Sequence, residues 1–418
     1  MVLSKIISLL ITFCGIVNLI RISILLIGSD IYSINHHIRY RKRRIQFHPT
    51  VSIVIPAYNE EQSISKAIAS VLDSNYPKNL LELVVVDDGS TDNTIKEIEK
   101  FNLLIQKVKI ISQKNSGKAH ALNNAIKNYV KGELVMCLDA DSYLSKNAIV
   151  NAVKYFEEKN VMALATNVKI EKTKGLLNLI QQFEYIVNYQ MKRAQTIFNV
   201  EYIIGGVGSV FRKSLLKKIN FYDVNTVTED IDLTMKILKN GNKKHRVIYG
   251  ADVITYTQGV LSLTDLIRQR HRWKWGRYQT FLKHRSMFFS KDKRFTKGLT
   301  WLYLPYALYG DLAFFIEPLF LFYILYLILI QKDFFTLISA FFVLTGYVVI
   351  NVLAEDSLSV KEKTIYISLS PLMYFLFYLL SYAEYVALIK SIFKMHKLKA
   401  SIDSNSNPWK HVKRLSYR

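Results

Sequence analysis

Cysteine is scarce: Cys14 and Cys137 are the only two in 418 residues. They have no metal-ligand spacing, and no disulfide framework is expected. Each lies in an apolar stretch, where a thiol serves as a small buried hydrophobe. Two phosphate-cradling loops are also missing. Neither G-x-G-x-x-G nor a P-loop lysine motif comes after the first strand-like segment. No small-residue cleavage site comes after the first apolar segment, so that segment reads as an uncleaved anchor and not a signal peptide. Acids are outnumbered, with 33 Asp and Glu against 56 Lys and Arg, for a net charge of +23. Such a balance raises nucleic acid as a partner. The basic residues cluster beside apolar runs, however, as they do at an anionic membrane face, so no nucleic acid is expected.

Apolar residues make up 50% of the chain. Ile6 to about Ile27 is long enough to span a bilayer, at about 20 residues per crossing. Arg21 interrupts it and requires tilt or snorkelling. Residues 1–35 are read as an N-terminal transmembrane anchor and residues 36–50 as a basic juxtamembrane segment. The positive run His36 to Arg44 is expected on the cytosolic side, together with the region after it. Residues 51–280 form the candidate catalytic domain and 281–300 a basic interfacial linker. Residues 301–390 form a C-terminal transmembrane region of about three segments, and 391–418 a basic tail. The apolar segments are Leu302 to Ile330, Phe334 to Leu353 and Ile365 to about Ile389. Three late crossings would leave the tail outside, whereas Lys390, Lys394, Lys397, Lys399, Lys410, Lys413, Arg414 and Arg418 favour the cytosol. One late segment is therefore expected to be re-entrant or interfacial, with Leu302 to Phe315 the candidate.

Within 51–280, apolar runs alternate with helical patterns. Strands are expected near Val51, Leu81, Val108, Leu134 and Val161. Helices are expected over Ser63 to Leu72, Thr94 to Phe101, Ala119 to Tyr129 and Leu176 to Ile197. This alternation over about 100 residues argues for a doubly wound α/β domain.

Acids stand at the ends of two of those strands. Asp87 and Asp88 close Leu81 to Val86. Asp139 and Asp141 close Leu134 to Leu138. In parallel sheets the ligand crevice lies beyond the carboxyl ends of the strands. A D-x-D pair there can hold Mg²⁺ or Mn²⁺ through oxygen ligands, with substrate phosphates completing the shell. A strand running into a polar turn explains the same residues without a metal. Thr228, Glu229 and Asp230 open a further helical pattern, where acids also suit the helix dipole. Gly205, Gly206 and Gly208 allow close backbone approach to a ligand, or make a plain turn. Arg268 to Arg277 carries four arginines, a lysine and two tryptophans. Arginine suits phosphate oxygens and an indole face suits a sugar ring, although a basic helix resting on a membrane has the same composition.

Taken together, Asp87-Asp88, Asp139-Ala140-Asp141, Thr228-Glu229-Asp230 and Gln269-Arg270-His271-Arg272-Trp273 resemble the ordered D, DxD, (T/E)ED and QxxRW signatures of processive family 2 glycosyltransferases. That group includes the synthases of cellulose, chitin, hyaluronan and poly-β-1,6-N-acetylglucosamine. Length and layout, with Gly117 to Asn123 and Met136 to Asp141, are most similar to the bacterial poly-N-acetylglucosamine synthases. His271 departs from the valine common there. The resemblance implies a GT-A fold inserted between transmembrane helices of a multi-pass plasma-membrane protein. It also implies transfer from a UDP-sugar, with UDP-N-acetylglucosamine expected, to a growing polysaccharide acceptor. The sugar would invert to a β-linkage.

The resemblance further implies roles for single residues. Asp87 and Asp88 would take uracil and ribose, and Lys118 the nucleotide side. Asp141, assisted by Asp139, would hold Mg²⁺ or Mn²⁺. Asp230 would be the general base with Glu229 beside it. Gln269, Arg272 and Trp273 would close over diphosphate and acceptor, with Gly205 and Gly206 shaping the acceptor wall. The bilayer and a small membrane accessory subunit are the further partners it implies. Asp311 and Glu317, polar residues inside an apolar segment, are candidates to line a water-filled path for the product, or else lie at an interface. Single-sugar transfer to a lipid phosphate is the nearest rival, but such enzymes usually lack QxxRW. A transporter or receptor would leave the ordered acids unexplained.

Overall fold

Seven consecutive buried residues make β1 (Val51–Ala57) an interior strand of the sheet. A continuous apolar run is what a strand covered on both faces requires. In the computed structural model, which describes residues 2–41, 47–105 and 108–403, β1 pairs in parallel with β2 (Leu81–Asp87) and β4 (Leu134–Cys137). β3 (Val108–Ser112) extends the parallel set beyond β2. The helices between these strands bury one stripe each. In α2 (Ile64–Leu72) the stripe is Ile64, Ala67, Ile68 and Val71. This is helical spacing, and each large side chain contributes about 1.5–3 kcal/mol on burial. α3 (Thr94–Ile105) and α4 (Lys118–Asn128) complete this half.

Four further strands widen the sheet to the order β3-β2-β1-β4-β7-β6-β8-β5. They are β5 (Ser142–Leu144), β6 (Val161–Ile170), β7 (Ser209–Arg212) and β8 (Arg246–Thr257). β7 is antiparallel to both β4 and β6. The sheet is therefore mixed, and its strand order reverses between β1 and β4. Such a switch point opens a crevice at the carboxyl strand ends. The remaining helices of the domain are α5 (Ala148–Tyr155), α6 (Leu176–Phe198), α7 (Lys213–Lys218), α8 (Glu229–Asn240) and α9 (Leu263–Lys283).

α1 (Val2–His36) precedes the domain; α10 (Leu304–Leu329), α11 (Phe334–Ala354), α12 (Val360–Phe393) and the short α13 (Leu398–Asp403) come after it. Among the described residues, Ile16–Tyr40, Phe334–Ala354 and Val360–Phe393 are long and apolar enough to cross a membrane. One flanks the domain before it and two after it. α6 joins domain and flanking helices: Phe183 and Ile186 share a core with Val348 and Val352 of α11 and Tyr366 and Met373 of α12. From α1, the Tyr32 hydroxyl donates to the Tyr249 carbonyl at 2.7 Å.

Arg21, the charge that interrupts the first apolar segment, lies over the Tyr306 ring of α10, 5.3 Å from its centroid. Asp311 differs from expectation. Its carboxylate is buried and accepts from Lys274 at 2.9 Å, from Tyr278 at 2.9 Å and from Arg277, all on α9. With every partner on one helix, it anchors α9 to α10 and does not line a product path. The Glu317 side chain, Lys42, Arg43, Arg44, and the tail residues Lys410, Lys413, Arg414 and Arg418 lie outside the described residues.

Candidate active site

Asp139 and Asp141 come directly after β4, so the strand aims them into the crevice. Lys118, the first residue of α4, reaches across to them: its Nζ lies 2.6 Å from Asp139 Oδ1 and 3.0 Å from Glu229 Oε1. One ammonium thus ties the D-x-D turn to the start of α8. Gly206 makes this possible, because a Cβ there would come within 2.7 Å of the Lys118 ammonium and 3.4 Å of both Asp139 oxygens. Asp141 is buried and accepts from the Ser142 hydroxyl at 2.9 Å. Burial disfavours the charge on Lys118, but Asp139, Glu229 and Asp230 outweigh it and hold the ammonium pKa above its usual value. Asp230 next to them accepts from the Ile231 amide at 2.8 Å. Loss of solvent, and then the Glu229 charge, push its carboxyl up to about 6, with Lys118 pulling the other way. Raised acids of this kind are suited to proton transfer near neutral pH. Beneath the pair, Cys137 is a free, buried thiol pushed up to about 12 by its desolvation.

α9 crosses the crevice with two distinct faces. At 3.6 residues per turn, Gln269, Arg272, Trp273 and Gly276 share one side. Gly276 sits against Thr228: a Cβ at 276 would come within 2.3 Å of its hydroxyl oxygen. Absence of a side chain there lets α9 approach the start of α8. The other side carries Arg270, Lys274 and Arg277, which pair with acids of α6, α10 and α12. His271, the residue that departs from the family pattern, lies 3.0 Å through Nδ1 from the Ser391 hydroxyl of α12.

A cavity of about 1230 Å³ runs between these elements. Lys118, Asp139, Asp141, Gly205, Gly206, Glu229, Asp230, Gln269, Arg272 and Trp273 all line it. It is larger than the usual 300–1,000 Å³ of a small-molecule pocket, and it extends to Tyr303 just before α10, Tyr306 of α10 and Glu384 of α12. Asp87 and Asp88 do not line it. Asp88 is buried, and its carboxylate accepts from Gln113 Nε2 at 2.7 Å, the Ser116 amide at 3.0 Å and the Gly117 amide at 2.8 Å. Asp87 accepts from the Ser90 amide at 3.2 Å. Asp88 fixes the loop that carries Ser116 and Gly117, which do line the cavity, up to Lys118.

One wall escaped the sequence reading. Gln181, Glu184, Tyr185, Asn188, Lys192 and Gln195 of α6 line the cavity together. Their spacing of three and four is the polar face of an amphipathic helix, and that signal stood in the sequence.

Residues 52–220 match the family model described as Glycosyl transferase family 2. The poly-beta-1,6-N-acetyl-D-glucosamine synthase of Staphylococcus aureus (strain COL) is 30% identical over 279 residues, which is 65% of this chain and 66% of that protein. The enzyme of the same name from Staphylococcus epidermidis is 30% identical over 235 residues, 56% of each chain. The match thus spans somewhat less than two thirds of these relatives' own length. A mannosyltransferase from Pyrobaculum calidifontis, solved with GDP-mannose and Mn²⁺, superposes with a TM-score of 0.58 at 20% identity, over 88% of this chain and 98% of that one. The mixed α/β sheet is accordingly of the GT-A type. The chain is thus similar to glycosyl transferase family 2 over residues 52–220, which hold Asp139 and Asp141, while Glu229, Asp230, Gln269, Arg272 and Trp273 lie beyond that stretch and face the same cavity.

Proposed function

We propose that this protein polymerises a sugar from a UDP-sugar, UDP-N-acetylglucosamine above all, into a β-linked polysaccharide at the plasma membrane. In this reading the domain of residues 51–280 faces the cytosol, between the helix before it and those after it. The observation that carries the reading is the shared cavity. The acids at the β4 tip, the acid pair opening α8 and the Gln269–Trp273 face of α9 surround one space, which reaches the flanking helices. Donor, base and acceptor chemistry require that adjacency. Relatives named as poly-N-acetylglucosamine synthases support the choice of sugar.

The residues divide the work. The acceptor hydroxyl attacks the anomeric carbon as the bond from that carbon to the diphosphate oxygen breaks. Asp230 takes the proton, and UDP leaves with the bonding pair. One transfer inverts the donor's α-configuration, with no covalent enzyme intermediate. Glu229 raises the affinity of Asp230 for the proton through its charge, and Lys118 holds Glu229 and Asp139 in register. Arg272 and Gln269 face the diphosphate, and Trp273 offers a flat apolar face on which the terminal sugar stacks. Fixing near-attack geometry in this way lowers the barrier. Asp88 acts from behind, by holding the Ser116-Gly117 turn.

A divalent ion fits the donor set. Among the described residues no three side chains gather as an all-protein cage. Asp139 and Asp141 offer hard oxygens, and Mg²⁺ is commonly held by one or two carboxylates with substrate phosphates completing its shell. Bound there, Mg²⁺ or Mn²⁺ would neutralise charge on the departing diphosphate.

Purified protein in detergent, supplied with Mg²⁺ and a panel of radiolabelled UDP-sugars, is expected to make polymer cleavable by β-specific glycosidases. Asp230→Asn is expected to lower kcat by about 10²–10⁴-fold, the range for a general base. Unchanged polymer from that variant would overturn the assignment of the base.

A further inference from the structure

Six charged side chains alternate in sign where α9 meets α6, α10 and α12. Glu184 of α6 lies 2.6 Å from Arg270 of α9, and Arg270 lies 3.4 Å from Glu384 of α12. Glu384 lies 2.7 Å from Lys274, Lys274 lies 2.9 Å from Asp311 of α10, and Asp311 also pairs with Arg277. Three acids from three helices meet three bases from one helix. Arg270, Lys274 and Asp311 are each at most 6% exposed.

Burying such a ladder is a poor way to gain stability. Well-packed apolar residues would serve as well or better, because desolvation offsets the attraction. What a ladder does provide is register. Its three rungs on α9, at 270, 274 and 277, fix the rotation of that helix about its axis. A different rotation would turn Gln269, Arg272 and Trp273 away from the cavity. One rung also touches the acceptor side directly: the Arg270 guanidinium lies over the Trp273 ring, 4.6 Å from its centroid.

We propose that Glu384 and Asp311, on the helices after the domain, are positioning residues. Through Arg270 and Lys274 they set the orientation of Trp273, and thereby how long the enzyme keeps its growing chain. Glu384 holds both Arg270 and Lys274, so it is the rung whose loss is felt furthest.

The test uses the full-length protein in detergent, with Trp275, Trp301 and Trp409 replaced by Phe so that Trp273 reports alone. Glu384→Gln keeps the shape and removes the charge. It is expected to change acrylamide quenching of Trp273 and to shorten the mean product by about tenfold, a middle value for coupled buried neighbours. The donor KM is expected to hold. Glu384→Asp is expected to restore product length in part, which a loss of general packing would not allow. Glu184→Gln attacks the same arginine from the domain side and serves if the α12 variant does not insert. Quenching and product length that match the parent in both Gln variants overturn the proposal. The product-length arm rests on the polymerase reading above, whereas the quenching arm does not. A shift in quenching in a protein that makes no polymer from any UDP-sugar sinks the polymerase reading and leaves the positioning role standing.

Discussion

Two acid pairs in this chain look alike in sequence and do different things. Leu83-Val84-Val85-Val86-Asp87-Asp88 and Leu134-Val135-Met136-Cys137-Leu138-Asp139-Ala140-Asp141 are both apolar strands that end in carboxylates. The strands lie on either side of β1 in one sheet. At the tip of β2, however, the loop after β3 closes over the acids, and three donors from Gln113, Ser116 and Gly117 engage Asp88. Beyond β4, Asp139 meets a lysine that also reaches α8, and Asp141 looks into the cavity. The strand order decides this. β4 flanks the switch point, while β2 is one strand removed from it. An acid at a strand tip becomes part of a site when the sheet's topology leaves space in front of it.

The sharpest way to break the comparison is to neutralise one acid of each pair. Asp141→Asn is expected to lower transfer by about 10²–10³-fold, as for loss of one group that stabilises developing charge. Asp88→Asn is expected to act mainly on the donor KM, by about tenfold, since it weakens charge-assisted hydrogen bonds within the protein worth about 1.5–3 kcal/mol. Initial rates across donor concentrations separate the two. Equal loss of kcat in both would mean that the pairs are not different in kind.

Proton dependence sharpens it further. Asp230 must be ionised to accept a proton, and its pKa lies near 6. Activity is therefore expected to rise with pH through about 6 and to fall away below it. Glu229→Gln removes the largest charge effect among the three causes that raise this pKa, the others being burial and Asp139, and is expected to move the midpoint of kcat/KM downward. A smaller effect is expected from Gly276→Ala, where the added methyl meets Thr228. Overpacking of this kind costs about 1–3 kcal/mol, readable as a lower melting midpoint and a weaker acceptor response. Smallest of all is Lys100→Ala, which removes an exposed pair with Glu97 far from both acid pairs. It is expected to cost under about 0.5 kcal/mol in thermal unfolding and to leave transfer unchanged.

The parallel half of the sheet was legible because its strands are buried runs and its helices carry single apolar stripes. β5 was not, being three residues long and opened by Ser142. β8 was hidden by irregularity: its pairing with β6 jumps from Gly250 to Ile254 opposite two successive residues, Thr166 and Asn167. A bulge of that kind breaks the period on which sequence reading depends. In the site, the ordered acids and the Gln269–Trp273 run could be read from residue type alone. The partners of Asp88 could not, since they lie on a loop about 25 residues later. Nor could the role of Asp311, because a carboxylate in an apolar segment reads the same whether it faces water or three donors from another helix.

Cys137 gives the site an unintended convenience. Its thiol is buried below Asp139, and desolvation holds it protonated far above working pH. Thiolates, not thiols, react with alkylating reagents and oxidants. This native thiol, two residues before Asp139, is therefore silent. Maleimide or iodoacetamide is expected to leave it untouched in the folded protein. With Cys14 replaced, a cysteine introduced at the cavity rim becomes addressable by a fluorophore or cross-linker, with Cys137 left in place.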